Sequence, residues 1–174
     1  SIANEPDEGV AVTSTQGVQL LDVTLPGAHA LGAGEIAEDG SVTYPGSEGV
    51  PAVNVLAADH SLRLSVVIAD AGEPTRYDYD LGEGVSIEIN SDGSATAVAL
   101  DTINDPQTGA KSQVERIVGD VQAPWAVDAS GANIPTHYEA HGSVLTQVVD
   151  HAVSSAHYPV VADPTFDQPN IFQY

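Results

Sequence analysis

The 174-residue chain carries 25 Asp and Glu against 4 Lys and Arg, a formal net charge of -21, with 42% hydrophobic residues. So acidic a surface argues against nucleic acid or an anionic membrane as partner, since affinity for both comes from Lys and Arg, and the longest apolar runs fall well short of the ~20 residues of a spanning helix. Without Cys there is no disulfide framework and no thiolate metal site, and at this length one domain with a single core is expected.

In chain order, residues 1–9 (SIANEPDEG) read as a loose acidic lead-in. Short alternating or β-branched runs then recur: VAVTST, VQLLDVTL, VTY, AVNVLAA, LRLSVVIA, RYDYDL, VSIEI, ATAVAL, SQVERIV, IPTHYEA and VLTQVVDH. Gly, Pro and Asp-Gly punctuate them, the signature of an all-β sandwich or barrel. The EDGS at Glu38–Ser41 and the SDGS at Ser91–Ser94 predict hairpin corners, because Asp-Gly supplies the positive φ that tight turns need. No segment sustains a helical period; single turns around Ala57–Asp59 and Ala152 are the nearest approach. Residues 164–174 form a Pro-rich tail in which Phe166, Ile171, Phe172 and Tyr174 carry apolar surface, able to fold back or to dock on a neighbour. The fold expected is a two-sheet β-sandwich of nine to eleven short antiparallel strands over residues 10–163, with irregular termini.

Four of the six histidines fall between Pro135 and Pro164. In a strand HYEAH, His137, Glu139 and His141 share one face and could supply three ligands to a zinc-type ion. Alternate positions stand roughly 6.5–7 Å apart, far for two ligands on one ion, and an exposed hairpin face accounts for the same pattern. The HGSV turn decides their neighbours. A two-residue loop sets Val144, Thr146 and Val148 beside the trio and turns His151 away, while a three-residue loop brings in Gln147 and His151. Asp78 and Asp80, with Glu83 in the next turn, offer oxygen ligands for a weak surface calcium site, though without the EF-hand spacing; a solvated acidic face is the plainer account. There is no G-x-S-x-G elbow and no phosphate-cradling Gly loop. Trp125 reads as a core anchor.

The run APWAVDASGANIPTHYEAHGSVLTQVVDHAVSSAHYPVVADPTF resembles the C-terminal part of β-rich domains in secreted proteins of actinobacteria, with their PWA-x-DA-x-G turn, L-x-Q-x-VDH strand and closing YPVVADP. The closing phrase is also similar to the YPV-x-x-DP ending of β segments around Rhs and YD-repeat proteins. Trp125, His151, Tyr158, Pro159, Asp163 and Pro164 match the pattern; His137 and His141 lie outside it. The resemblance implies a secreted, mostly β module and carries no catalytic residue, with His151 and Asp163 holding the last strand to its exit turn. An initial Ser in place of Met fits either a trimmed fragment or a mature form freed of a signal peptide, the latter giving a secreted or cell-surface protein.

The function expected is a non-enzymatic extracellular structural or interaction module, in its sharpest form a self-assembling cell-surface or matrix filament subunit. It would need no cofactor beyond weak calcium, and its partner would be protein, including further copies of itself. One alternative is a pro-region or accessory domain of a secreted enzyme or toxin, its acidic surface facing a basic partner. The other is a metal-dependent enzyme using the His137, Glu139 and His141 face.

Overall fold

A computed structural model describes residues 2–13, 19–58, 61–104, 106–152 and 155–167. The fold is all-β. β1 (Val10–Thr13) and β2 (Gln19–Val23) form a two-stranded sheet; β3 (Glu35–Ile36), β4 (Val42–Tyr44), β5 (Ala52–Ala58) and β6 (Ser61–Ile68) open the large sheet. β7 (Arg76–Asp80) leaves it to join the small sheet, and β8 (Val85–Ile89), β9 (Ala95–Asn104), β10 (Lys111–Val121) and β11 (Trp125–Val127) return to it. The hairpin of β12 (Thr136–His141) and β13 (Val144–Val149) completes the small sheet, and β14 (Val160–Asp163) and β15 (Thr165–Asp167) close the large one. Every pairing between these strands is antiparallel.

Among the described residues the strands number fifteen against the nine to eleven expected, arranged in sheets of two, ten and three strands. Much of the excess has a local cause. β14 and β15 lie end to end along one edge of β6, interrupted at Pro164, which has no N–H to give the ladder but whose carbonyl accepts from Leu64 N–H at 3.1 Å. On the far edge of that pair, β10 and β11 are separated in the same way by Gln122–Pro124.

Period-2 alternation sets the core. In β6, Leu62, Leu64, Val66 and Ile68 are buried while Arg63, Ser65 and Val67 are not, and Val53 and Val55 do the same in β5. Each such side chain, fully buried, contributes about 1.5–3 kcal/mol. The small sheet adds Tyr77, Tyr79, Leu145 and Val149, and Tyr79 meets Phe166 of the large sheet edge to face, ring centroids 6.4 Å apart. Phe166 is thus a core residue inside a strand, not part of an interaction tail. Ile171, Phe172 and Tyr174 lie outside the described residues.

Three further expectations change. The lead-in is tied down: Ile2 bridges to Val10, Gly34 N–H donates to Asn4 O, and the Tyr44 hydroxyl donates to Ala3 O. Ala57 and Ala58 belong to β5, with Asp59 outside the described residues, because pairing with Leu62 and Ser61 outweighs alanine's helical preference. Trp125 is 38% exposed, since β11 lies at the sheet margin. The two Asp-Gly corners are hairpin turns of one design: Ala37 N–H donates to Ser41 O and Asn90 N–H to Ser94 O, each at 2.8 Å, with Gly40 and Gly93 at φ 82 and 86.

Candidate functional site

Gly142 and Ser143 alone join β12 to β13, so the two-residue alternative holds. Gly142 has φ 62 and Ser143 no positive φ, as a type II′ corner requires. With β13 central, the register lays out a nine-residue outer face in three rows: His137, Val148, Arg76; then Glu139, Thr146, Asp78; then His141, Val144, Asp80. The two sequence-derived carboxylate groups thus share a face but stand two strand spacings, roughly 9–10 Å, apart.

Arg76 fills that gap. Its guanidinium reaches across the central strand to grip Glu139 with both ends of the fork, Nη1 to Oε1 at 3.3 Å and Nη2 to Oε2 at 2.5 Å, and holds that carboxyl below the usual carboxylate range. His137 Nε2 lies 3.6 Å from Oε1. Asp78 accepts from Thr146 Oγ1 at 2.6 Å, and Asp80 from Ser143 Oγ at 2.7 Å and Gly82 N–H at 3.1 Å. Glu83 is exposed in the following turn. Neither the His137, Glu139, His141 trio nor the Asp78, Asp80, Glu83 trio is brought together: among the described residues, no three His, Asp or Glu side chains are placed to hold a metal ion. The spacing of a flat strand face keeps the ligand atoms apart, and the groups that do meet are already matched to Arg, Thr and Ser.

The residues of the resembling stretch hold the closing segment. His151, fully buried, sets Nε2 3.0 Å from Pro74 O and Nδ1 3.0 Å from the Tyr158 hydroxyl. A carbonyl only accepts, so Nε2 carries the proton and the loop before β7 is fastened to the loop before β14. Asp163, also buried, accepts from Arg63 Nε at 3.1 Å, from Thr165 Oγ1 at 3.1 and 3.2 Å, and from the Trp125 indole.

Asp128 stands in the PWA-x-DA-x-G turn but was not singled out, although Asp-x-Ser is itself an Asx-turn signal. Its buried carboxylate accepts from Ser130 N–H, Ser130 Oγ and Ala132 N–H at 2.6–2.9 Å and from His157 N–H at 2.9 Å. The Ser130 hydroxyl first, then the His157 amide, hold it well below the ordinary carboxylate range. Its stabilising contribution is therefore complete above the unfolded value, about 3.9, and drains as pH falls through the depressed folded value. Asp128→Asn is expected to flatten this acid limb, measured as denaturation midpoint against pH; an unchanged limb removes Asp128 from the account.

A second surface lies at the other end of the large sheet. β8 accompanies β9 only from Ala95 to Ala99, and β15 accompanies β10 only at Asp120 and Val121. Beyond those limits, Leu100–Asn104 and Lys111–Arg116 run as a ribbon paired only with each other among the described residues. Leu100 (57% exposed) and Ile117 (52%) show on one face, Ile103 (51%) and Val114 on the other, and Arg116 Nε bonds Asp101 Oδ2 at 2.6 Å. No known protein family, curated protein or solved structure matches the chain. No helix of the described residues is long and apolar enough to cross a membrane.

Proposed function

We propose that the chain is a non-enzymatic extracellular structural or interaction module whose working surface is the β9–β10 ribbon. The observation that carries this reading is the outer part of the ribbon: Leu100, Ile103, Val114 and Ile117 stand in solvent on the stretches 100–104 and 111–117, which place no side chain in the core, whereas Ala95, Ala97, Val118 and Val121 at its base do. Unpaired strand edges invite a further strand, and clustered exposed aliphatics mark contact surfaces. The charge pattern agrees. Residues 100–117 carry Lys111 and Arg116 against Asp101, Asp105 and Glu115, so half of the four cations sit on this segment and leave it nearly neutral in a chain of net charge -21. Secretion is consistent with the resemblance of the closing stretch to secreted actinobacterial domains.

The test is sedimentation of the intact protein alone and mixed with the extracellular fraction of cells that make it. A species heavier than the 17.9 kDa chain is expected in at least one condition, and Leu100→Ser with Ile117→Ser should abolish it. Only the light species in both would end this reading.

A further inference from the structure

We infer that the partner of the open β10 edge is a second copy of this chain, the two β10 strands pairing antiparallel about a two-fold axis through Gln113. This rests on the ribbon being an interaction surface and names what it binds. From Lys111 to Gly119 the edge of β10 away from β9 has no strand beside it among the described residues. Lys111, Gln113 and Glu115 stand opposite Asn104, Thr102 and Leu100 of β9 and so share one face, at even spacing. Arg63, Arg76 and Arg116 each hold a carboxylate; Lys111 is the one Lys or Arg that forms no ion pair among the described residues.

A two-fold axis requires that if one residue meets another, the second meets the first. Centred on Gln113, it sets Lys111 of each copy opposite Glu115 of the other and Gln113 opposite itself. The unmatched cation thereby gains a carboxylate twice over, and Leu100 and Ile117, on the same face, flank both pairs. Opposite charges directly across an antiparallel pair stabilise it and like charges oppose it. A shift of two residues along the strand would remove both pairs, so charge fixes the register. The net charge of -21 does not forbid the contact. Asp120, where the body resumes on this edge, is seven residues from the axis, roughly 24 Å of strand, beyond a screening length of about 8 Å at physiological salt.

The experiment is light scattering on the full, untagged chain in 150 mM salt, with charge exchange at the two positions. The wild type is expected at twice 17.9 kDa. Lys111→Glu and Glu115→Lys should each weaken the dimer by roughly tenfold or more, because each faces like charges across the axis. Mixing the two variants should restore association, as should combining both changes in one chain. Gln113→Cys should give a covalent dimer on oxidation, in a chain that has no other Cys. A dimer indifferent to both charge changes overturns the inference, as does a dimer seen only when the chain is cut after Asp167, which would make the residues beyond Asp167 the occupant of the edge. A wild type that stays single overturns it too. If a ribbon-dependent heavier species still forms with the extracellular fraction, the interaction reading survives with a different partner; if not, both fall.

Discussion

Gly46→Ala is expected to destabilise the protein by roughly 3–5 kcal/mol, among the largest losses open to a single methyl group. A Cβ at this position would lie 2.2 Å from Val50 O, 2.7 Å from Ala52 N and 2.8 Å from Pro51 C. All three are backbone atoms, so no side-chain rotation relieves the overlap. Val50 O is also the acceptor for Ser47 N–H, and Val50 N–H donates back to Ser47 O, so any shift large enough to admit the methyl breaks the turn joining β4 to β5. The cost then reaches the core, because Val53 and Val55 take their register from that turn. Gly49→Ala is the control: open space surrounds it, and its φ of 74 makes the change cost only about 1–2 kcal/mol. Urea midpoints of the two variants check this, and equal losses would show that the close approach at Gly46 is unimportant.

The second large effect is expected at Asp163. Asp163→Ala leaves the buried Thr165 hydroxyl and the Trp125 indole without their acceptor and should cost about 2–3 kcal/mol. Arg63 adds little to that loss because half its side chain is in water, where the freed guanidinium can be solvated. Asp163→Asn keeps an acceptor and should lose less than half as much. The pH dependence runs opposite to that of Asp128. Burial pushes the Asp163 carboxyl up despite Arg63, so the folded state holds this proton more tightly than the unfolded chain. Stability associated with this group is therefore greatest below the unfolded value, about 3.9, and falls as pH rises through the folded one. Equilibrium unfolding from pH 3 to 7 tests both parts. An alanine variant within 0.5 kcal/mol of wild type would mean the network is ornamental.

Much of the fold was legible because its signals are local. Alternation in LRLSVVI and AVNVLAA, and Asp-Gly at the corners, identify strands and turns without knowledge of the rest of the chain. The site was less so. That Arg76 reaches Glu139 depends on the placement of β7 beside β13, a pairing between residues some seventy positions apart that no local pattern encodes. Gly46 and Gly49 look alike in YPGSEGV, yet one is needed for space and the other for its left-handed backbone. ATAVAL and SQVERIV read as ordinary strands; nothing in them shows that β8 stops opposite Ala99 and that β15 meets β10 only at Asp120 and Val121, which leaves Leu100–Asn104 and Lys111–Arg116 paired only with each other among the described residues. Pro164 was visible as a breaker, and suggested a tail, when its neighbours Asp163 and Thr165 in fact continue the sheet on either side.

The placement of the four cations has a further consequence. Arg63, Arg76, Lys111 and Arg116 all lie within strands, and a protease that cuts after Lys or Arg needs an extended, unpaired substrate. Arg63 is enclosed between β5 and β15, and Arg76 is clamped to Glu139. Digestion of the native protein by such a protease is therefore expected to begin on β10 at Lys111, since Arg116 is itself bonded to Asp101, and a contact that covers that strand would close this point of attack. Resistance to such proteases and association through β10 would then be one property of the same eleven residues.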